Sequence, residues 1–110
     1  MKIYPLSELK VENLGRGWVF RFRSTDPNEE LVDLLVRENS DSPSGFTLMT
    51  MSGYHAGLDL VNLPADSGSL LTGLSKRWLI QNWTKWVNPH IPIEEVSCFR
   101  LVENQLYKID

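Results

Sequence analysis

The chain reads as an α+β protein, a mainly antiparallel sheet of about five to six strands with one principal Trp-rich amphipathic helix packed on one face. Three observations predict it. The run Trp18 to Arg23 alternates aromatic side chains with Arg after Val19, the period-two pattern of a half-buried strand, and other short apolar runs have strand length and strand-favouring residues. Hairpin-sized clusters of Gly, Pro, Asn, Asp and Ser separate those runs, supplying the turn conformations that antiparallel neighbours need. One longer segment, Lys76 to Val87, switches to three- and four-residue spacing of its apolar side chains, which makes one face of a helix.

The elements follow in chain order. After an opening segment of mixed character, Gly15-Arg16-Gly17 leads into Trp18-Val19-Phe20-Arg21-Phe22-Arg23. Alternation sends Trp18, Phe20 and Phe22 to the core and Val19, Arg21 and Arg23 outward. Thr25-Asp26-Pro27-Asn28 is a turn, with Pro setting one dihedral and Asp and Asn able to bond the local backbone. The run Leu31 to Val36 fits either a helix face or a strand face, and its short length beside turn clusters favours the strand. Asn39 to Gly45 is the loop of a hairpin whose second strand, Phe46 to Met51, is rich in β-branched and aromatic residues. Ser52 to Gly57 breaks the chain again, and Leu58 to Leu63 is a further strand stopped by Pro64. Ala65 to Gly73 is small and polar, a surface loop. Ser75 is the expected N-cap of the helix, and Asn88-Pro89 ends it, because a residue before Pro avoids helical dihedrals. A strand from Val96 to Leu101 follows, with Ser97, Phe99 and Leu101 on one side and Val96, Cys98 and Arg100 on the other. A short terminal strand, Leu106 to Ile109, is expected last.

At 110 residues, 42% of them hydrophobic, the chain is expected to be one domain, 1–110, with a core that needs no disulfide. Its one cysteine excludes a disulfide framework and multi-cysteine metal sites and suits a reducing compartment. No secretory signal opens the sequence and no apolar stretch reaches membrane-spanning length, so a cytoplasmic location is expected, with no membrane partner.

Catalytic chemistry finds little support. His55 and His90 are the only histidines, and although Asp59 follows His55 by four residues, neither has a second ligand at the spacing of a metal motif. No metal and no cofactor is expected. A nucleophile would have to come from Cys98 with His55 or His90, or Ser52 with His55. Cys98 alternates with hydrophobes inside a strand, the setting of an inert buried thiol. Gly53 and Gly57 lack the Lys and third Gly of phosphate-binding loops. The expectation is a protein that is not an enzyme.

Charge is more informative along the chain than in total. The net charge is -3, from 11 Lys and Arg against 14 Asp and Glu, which speaks against general nucleic-acid binding. From Asp26 to Asp66, however, eight acids face one base, Arg37, while the remainder of the chain carries ten bases and six acids. That asymmetry suits an acidic surface presented to a basic partner. The alternative is a small nucleic-acid-binding module using Arg16, Arg21, Arg23, Lys76, Arg77 and Arg100. Alternation counts against it, since aromatics and arginines of the Trp18 to Arg23 run lie on opposite faces, whereas a stacking platform needs them together. Arg21 and Arg23 are expected to meet acids such as Asp33 or Glu95 across the sheet. Trp78, Trp83 and Trp86 are core residues first, with Trp78 or Trp86 at the rim as an interface anchor.

The segments Ser52-Gly53-Tyr54-His55-Ala56-Gly57, Leu63-Pro64, Trp78-Leu79-Ile80-Gln81-Asn82-Trp83-Thr84-Lys85-Trp86-Val87-Asn88-Pro89 and Pro92-Ile93-Glu94-Glu95-Val96 together resemble immunity protein family forty-five. The resemblance spans about residues 16 to 101, and its most specific part is Asn82-Trp83-x-x-Trp86-Val87. These are small bacterial proteins encoded beside polymorphic toxins, including those of contact-dependent growth inhibition. The resemblance implies a cytoplasmic, non-catalytic protein that binds one cognate toxin domain, often a nuclease, and blocks its active site or substrate access. It carries no map of the binding site. The charge pattern supplies one: Asp26, Glu29, Glu30 and Asp33 as one partner-binding patch and Tyr54, Asp59 and Asp66 as another, meeting a basic toxin domain. A small hydrolase depending on His55 is the third class that these residues leave open.

Overall fold

In the computed structural model, which describes residues 2–101, the short strand-length runs pair as antiparallel neighbours. The strands are β1 (Tyr4–Pro5), β2 (Asn13–Leu14), β3 (Trp18–Arg23), β4 (Leu31–Glu38), β5 (Phe46–Thr50), β6 (Asp59–Asn62), β7 (Gly68–Ser69), β8 (Gly73–Ser75) and β9 (Ser97–Arg100), and the helix is α1 (Lys76–Trp86). The larger sheet has six strands in the order β1-β9-β3-β4-β5-β6, and β2, β8 and β7 form a separate three-stranded sheet. The fold is α+β, as the sequence pattern predicts.

Register explains the core. Phe20 stands opposite Leu34 on β4 and Cys98 on β9, and Phe22 opposite Val32. The same face continues through Val36 opposite Leu48, so the apolar positions of four strands form one surface. Helix α1 covers it. Trp83 is fully buried, and its indole meets the Phe20 and Phe22 rings edge-on, with centroids 5.6 and 5.9 Å apart. Ser75 caps the helix as expected, its Oγ accepting the Trp78 N–H at 3.1 Å, which satisfies one orphan donor of the first turn. The helix ends at Trp86, one residue earlier than its apolar spacing suggests. Val87 is the C-cap, its N–H donating to the Trp83 carbonyl.

Four details depart from the sequence reading. Ala65 to Gly73, expected as a loop, holds a 3-10 turn at Ala65–Ser67 and the small strand β7, which pairs with β8 just before the helix. Two- and three-residue strands are too short for alternation to register, and Gly and Ser read as loop. Gly73 is required there: its φ is +86°, and a Cβ would lie 3.1 Å from the Leu14 carbonyl carbon. The strand read over Leu58 to Leu63 shrinks to β6, with a bulge where the register with β5 shifts. The strand read over Val96 to Leu101 narrows to β9. Val19 faces away from the helix, as alternation demands, yet it is fully buried rather than solvent-facing. Its lateral neighbours are Leu35 on β4 and Phe99 on β9, so the open face has an apolar strip of its own. The terminal strand expected at Leu106 to Ile109 lies outside the described residues.

Candidate functional site

Antiparallel connectivity decides which loops meet. The β3–β4 turn (residues 24–30), the β5–β6 connection (51–58), the end of α1 and the segment leading into β9 all lie at one end of the larger sheet. The β4–β5 loop and the turn after β6 lie at the other. The acidic stretch is therefore divided between two ends and a face.

Four of the seven predicted partner-binding residues gather at the first end. In the β3–β4 turn Asp26 Oδ1 accepts the Asn28 N–H at 2.8 Å, and the Asp26 N–H donates to Ser24 Oγ at 3.0 Å. This local bonding holds the turn while leaving the Asp26 and Glu30 side chains exposed. Glu29 reaches across to the β5–β6 connection, where its Oε1 accepts the Tyr54 N–H at 2.9 Å. Gly53 is needed for that approach: its φ is +67°, and a Cβ there would collide with Glu29 Oε1. The Tyr54 side chain then stands in solvent, 82% exposed. Asp26, Glu29, Glu30 and Tyr54, which the sequence reading assigns to two patches, thus share one rim.

The other three are placed differently. Asp33 lies on the open face of the sheet and is held by Arg21 through two bonds, Nε to Oδ1 at 2.8 Å and Nη2 to Oδ2 at 2.9 Å. The Arg21 guanidinium also sits 4.9 Å from the centre of the Phe99 ring. Asp33 is thus the cross-strand acid that Arg21 was expected to meet. Asp59, on the edge strand, is gripped by Arg37 in the same two-bond manner, at 3.0 and 2.7 Å. That hydrogen-bonded pairing raises the Arg37 pKa and lowers that of Asp59, charge attraction adding to both. The Asp33 bonds raise Arg21 likewise. Asp66 is exposed in the turn after β6, at the opposite end from Tyr54.

A groove of about 300 Å³ opens beside the acidic rim, between the β5–β6 connection and the end of α1. Val32, Leu34, Thr50, Leu58, Leu60 and Val87 supply walls, and Glu29, His55 and Asp59 also line it. Leu58 and Leu60 are 59% and 48% exposed. Alternation in a half-buried strand hides such residues from sequence reasoning; their exposure follows from β6 being the edge of the sheet among the described residues. Glu94 and Glu95, outside the acidic stretch, are exposed at the same end, where Glu95 shares a second groove with Arg23 and His90.

The basic residues of the nucleic-acid reading do not form a stripe. Arg21 is committed to Asp33, and the half-buried Lys76 ammonium donates to the Leu9 carbonyl and lies 3.7 Å from Glu12. Arg100 stands opposite Trp18 on the helix-covered face, whereas Arg21 and Arg23 belong to the other. The nucleophile candidates are engaged elsewhere or buried. Ser52 Oγ accepts the Asp33 N–H and donates to the Leu31 carbonyl, and Cys98 is fully buried, its thiol pKa pushed up to about 11 by desolvation. Among the described residues no group of three or more His, Cys, Asp or Glu is arranged to hold a metal ion. No described helix is long and apolar enough to cross a membrane.

The model of one protein family, described as Immunity protein 45, matches residues 6–98. The chain belongs to that family. Family membership gives it an immunity role, and the matched span contains the acidic rim, the groove and the whole of α1. Trp86, in the same helix, is 37% exposed and packs on Trp78 with ring centroids 6.1 Å apart, so it is the rim tryptophan of the pair. No curated protein and no solved structure matches the chain.

Proposed function

We propose that this immunity protein acts by binding one cognate bacterial toxin domain and neutralising it, with the acidic rim at the β3–β4 end as the contact surface. The observation that supports this most is the convergence of Asp26, Glu29, Glu30 and exposed Tyr54 from two separate connections, fixed by the Glu29 to Tyr54 backbone bond. Neutralisation is by occupancy, with no catalytic step and no cofactor. Family membership implies the toxin partner, and charge complementarity argues that the contacted surface is basic. A nuclease has such a surface because it must bind phosphates, and an acidic inhibitor competes for it. The setting that fits is the cytoplasm of a bacterium carrying a polymorphic toxin, such as one delivered by contact-dependent growth inhibition.

The test is association kinetics with the toxin domain encoded beside the immunity gene. Reversing Asp26, Glu29 and Glu30 together to Lys is expected to slow association by about tenfold or more at low salt, since steering charges act mainly on the on-rate. Reversal of Asp66, at the opposite end, is expected to leave the rate nearly unchanged. Equal rates for wild type and the triple variant at low ionic strength would remove the acidic rim from the contact.

A further inference from the structure

We infer that the groove beside the acidic rim receives a long basic side chain, Arg or Lys, from the partner protein. The inference rests on the immunity reading above and names the chemistry of its anchor.

The groove has two properties that select such a side chain. Its walls are apolar for most of their depth, with Val32 and Leu34 from the sheet, Leu60 from the edge strand and Val87 from the end of the helix. A volume of about 300 Å³ has room for the aliphatic stem of Arg or Lys, which buries readily while the charged head stays at a polar rim. The rim is electronegative. Glu29 Oε1 is occupied by the Tyr54 N–H, but no cation pairs with this carboxylate among the described residues. The C-terminal end of α1, at Val87 and Asn88, lines the same groove and brings the negative end of the helix dipole to it. Asp59 also lines the rim, although Arg37 already neutralises it.

An anionic side chain would meet Glu29 and the helix end unfavourably, and a purely aliphatic one would leave that carboxylate without a counter-charge. Arg adds the capacity to bond Glu29 Oε2 while Oε1 keeps its bond to Tyr54. Docking there would also bring partner surface against exposed Leu58, which lines the groove, and toward exposed Tyr54, whose N–H bonds Glu29, in the pattern of an anchor surrounded by water-excluding contacts.

The groove is tested first without any toxin. Titration of isotope-labelled protein with N-acetyl-arginine amide, followed by NMR, is expected to give saturable shifts centred on Thr50, Leu60 and Val87. Its neutral isostere N-acetyl-citrulline amide is expected to bind at least fivefold more weakly. Glu29→Gln keeps an acceptor for the Tyr54 N–H but removes the charge, and should bring the arginine probe down to the citrulline level. No saturable shift at the groove, or equal binding of both probes, overturns the inference. With the toxin domain, Glu29→Gln and Leu60→Ala should each weaken binding at least tenfold. If wild type binds toxin and neither variant weakens it, the groove assignment fails while the immunity reading stands. If wild type binds no toxin, that reading fails and the arginine probe still decides the groove.

Discussion

The two faces of the larger sheet are made from the same strands by alternate residues, yet they are stabilised differently. On the helix-covered face Phe20, Phe22, Leu34, Val36 and Leu48 are buried in one cluster with Leu79 and Trp83 of the helix, so water is excluded by a second layer. On the open face Val19 and Phe99 are buried with no described helix above them, Leu35 and Met49 are half-buried, and Leu31 and Met51 are exposed. Two Arg–Asp pairs lie across that face, Arg21 with Asp33 and Arg37 with Asp59, and the Arg21 guanidinium sits over Phe99. The contrast teaches that a single-layer face need not be simply polar. Neighbouring side chains and a flat cation can shield its apolar strip, while the charges remain at the surface.

The largest expected effect tests the covered face. Trp83→Ala should cost about 3–5 kcal/mol in urea unfolding. Trp83→Phe should cost much less, because the buried indole Nε1 has no hydrogen-bond partner among the described residues, and its loss leaves no acceptor stranded. Equal costs for the two would mean that a polar bond, rather than packed volume, holds the helix.

Val19→Ala probes whether the open face is a true second core. Removal of two buried methyl groups should cost about 1.5 kcal/mol, whereas a solvent-facing valine would give nearly nothing. A cost within experimental error of zero would break the comparison at that point.

The two ion pairs should differ from one another. A double-mutant cycle on Arg21 and Asp33 is expected to return a coupling of about 1 kcal/mol, the upper part of the range for surface pairs, and the Arg37–Asp59 coupling should be smaller because both partners are more exposed. The acid limb of stability reports the second pair. The Asp59 carboxyl titrates below its ordinary value of 3.8, so the native state binds its proton less tightly than the unfolded chain does. Its contribution is fully present above pH 3.8 and disappears as pH falls through the lower native value. Carboxyl NMR on wild type and Arg37→Ala checks the sign: the Asp59 midpoint should rise in the variant.

Alternation located β3 and helical spacing α1, because each is long enough to show its period; β4 was read from its short length beside turn clusters and β5 from its residue types, and Ser75 was recognisable as a cap from its type and position. The three-stranded sheet was not legible, since Gly68–Ser69 and Gly73–Ser75 carry too few side chains to reveal a face. At the candidate site, the charge segregation marked Asp26, Glu29 and Glu30, and Tyr54 stood out within the segment that resembles the family. Leu58, Leu60 and Val87 escaped, because an apolar residue in a short strand or at a helix end looks the same in sequence whether a neighbour covers it or not.

The amino-acid order alone therefore carries the fold class, the helix and the face it presents, the family and the acidic bias of one segment, all of which are local patterns or sums along the chain. Tertiary structure decided which acids remain available. Glu29 meets the backbone of Tyr54, 25 residues away, while Asp33 and Asp59 are taken up by Arg21 and Arg37 and Asp66 is carried to the far end of the sheet. The physical reason is that strand register and connectivity set the distances between charges, and electrostatic interaction depends on those distances rather than on separation along the chain.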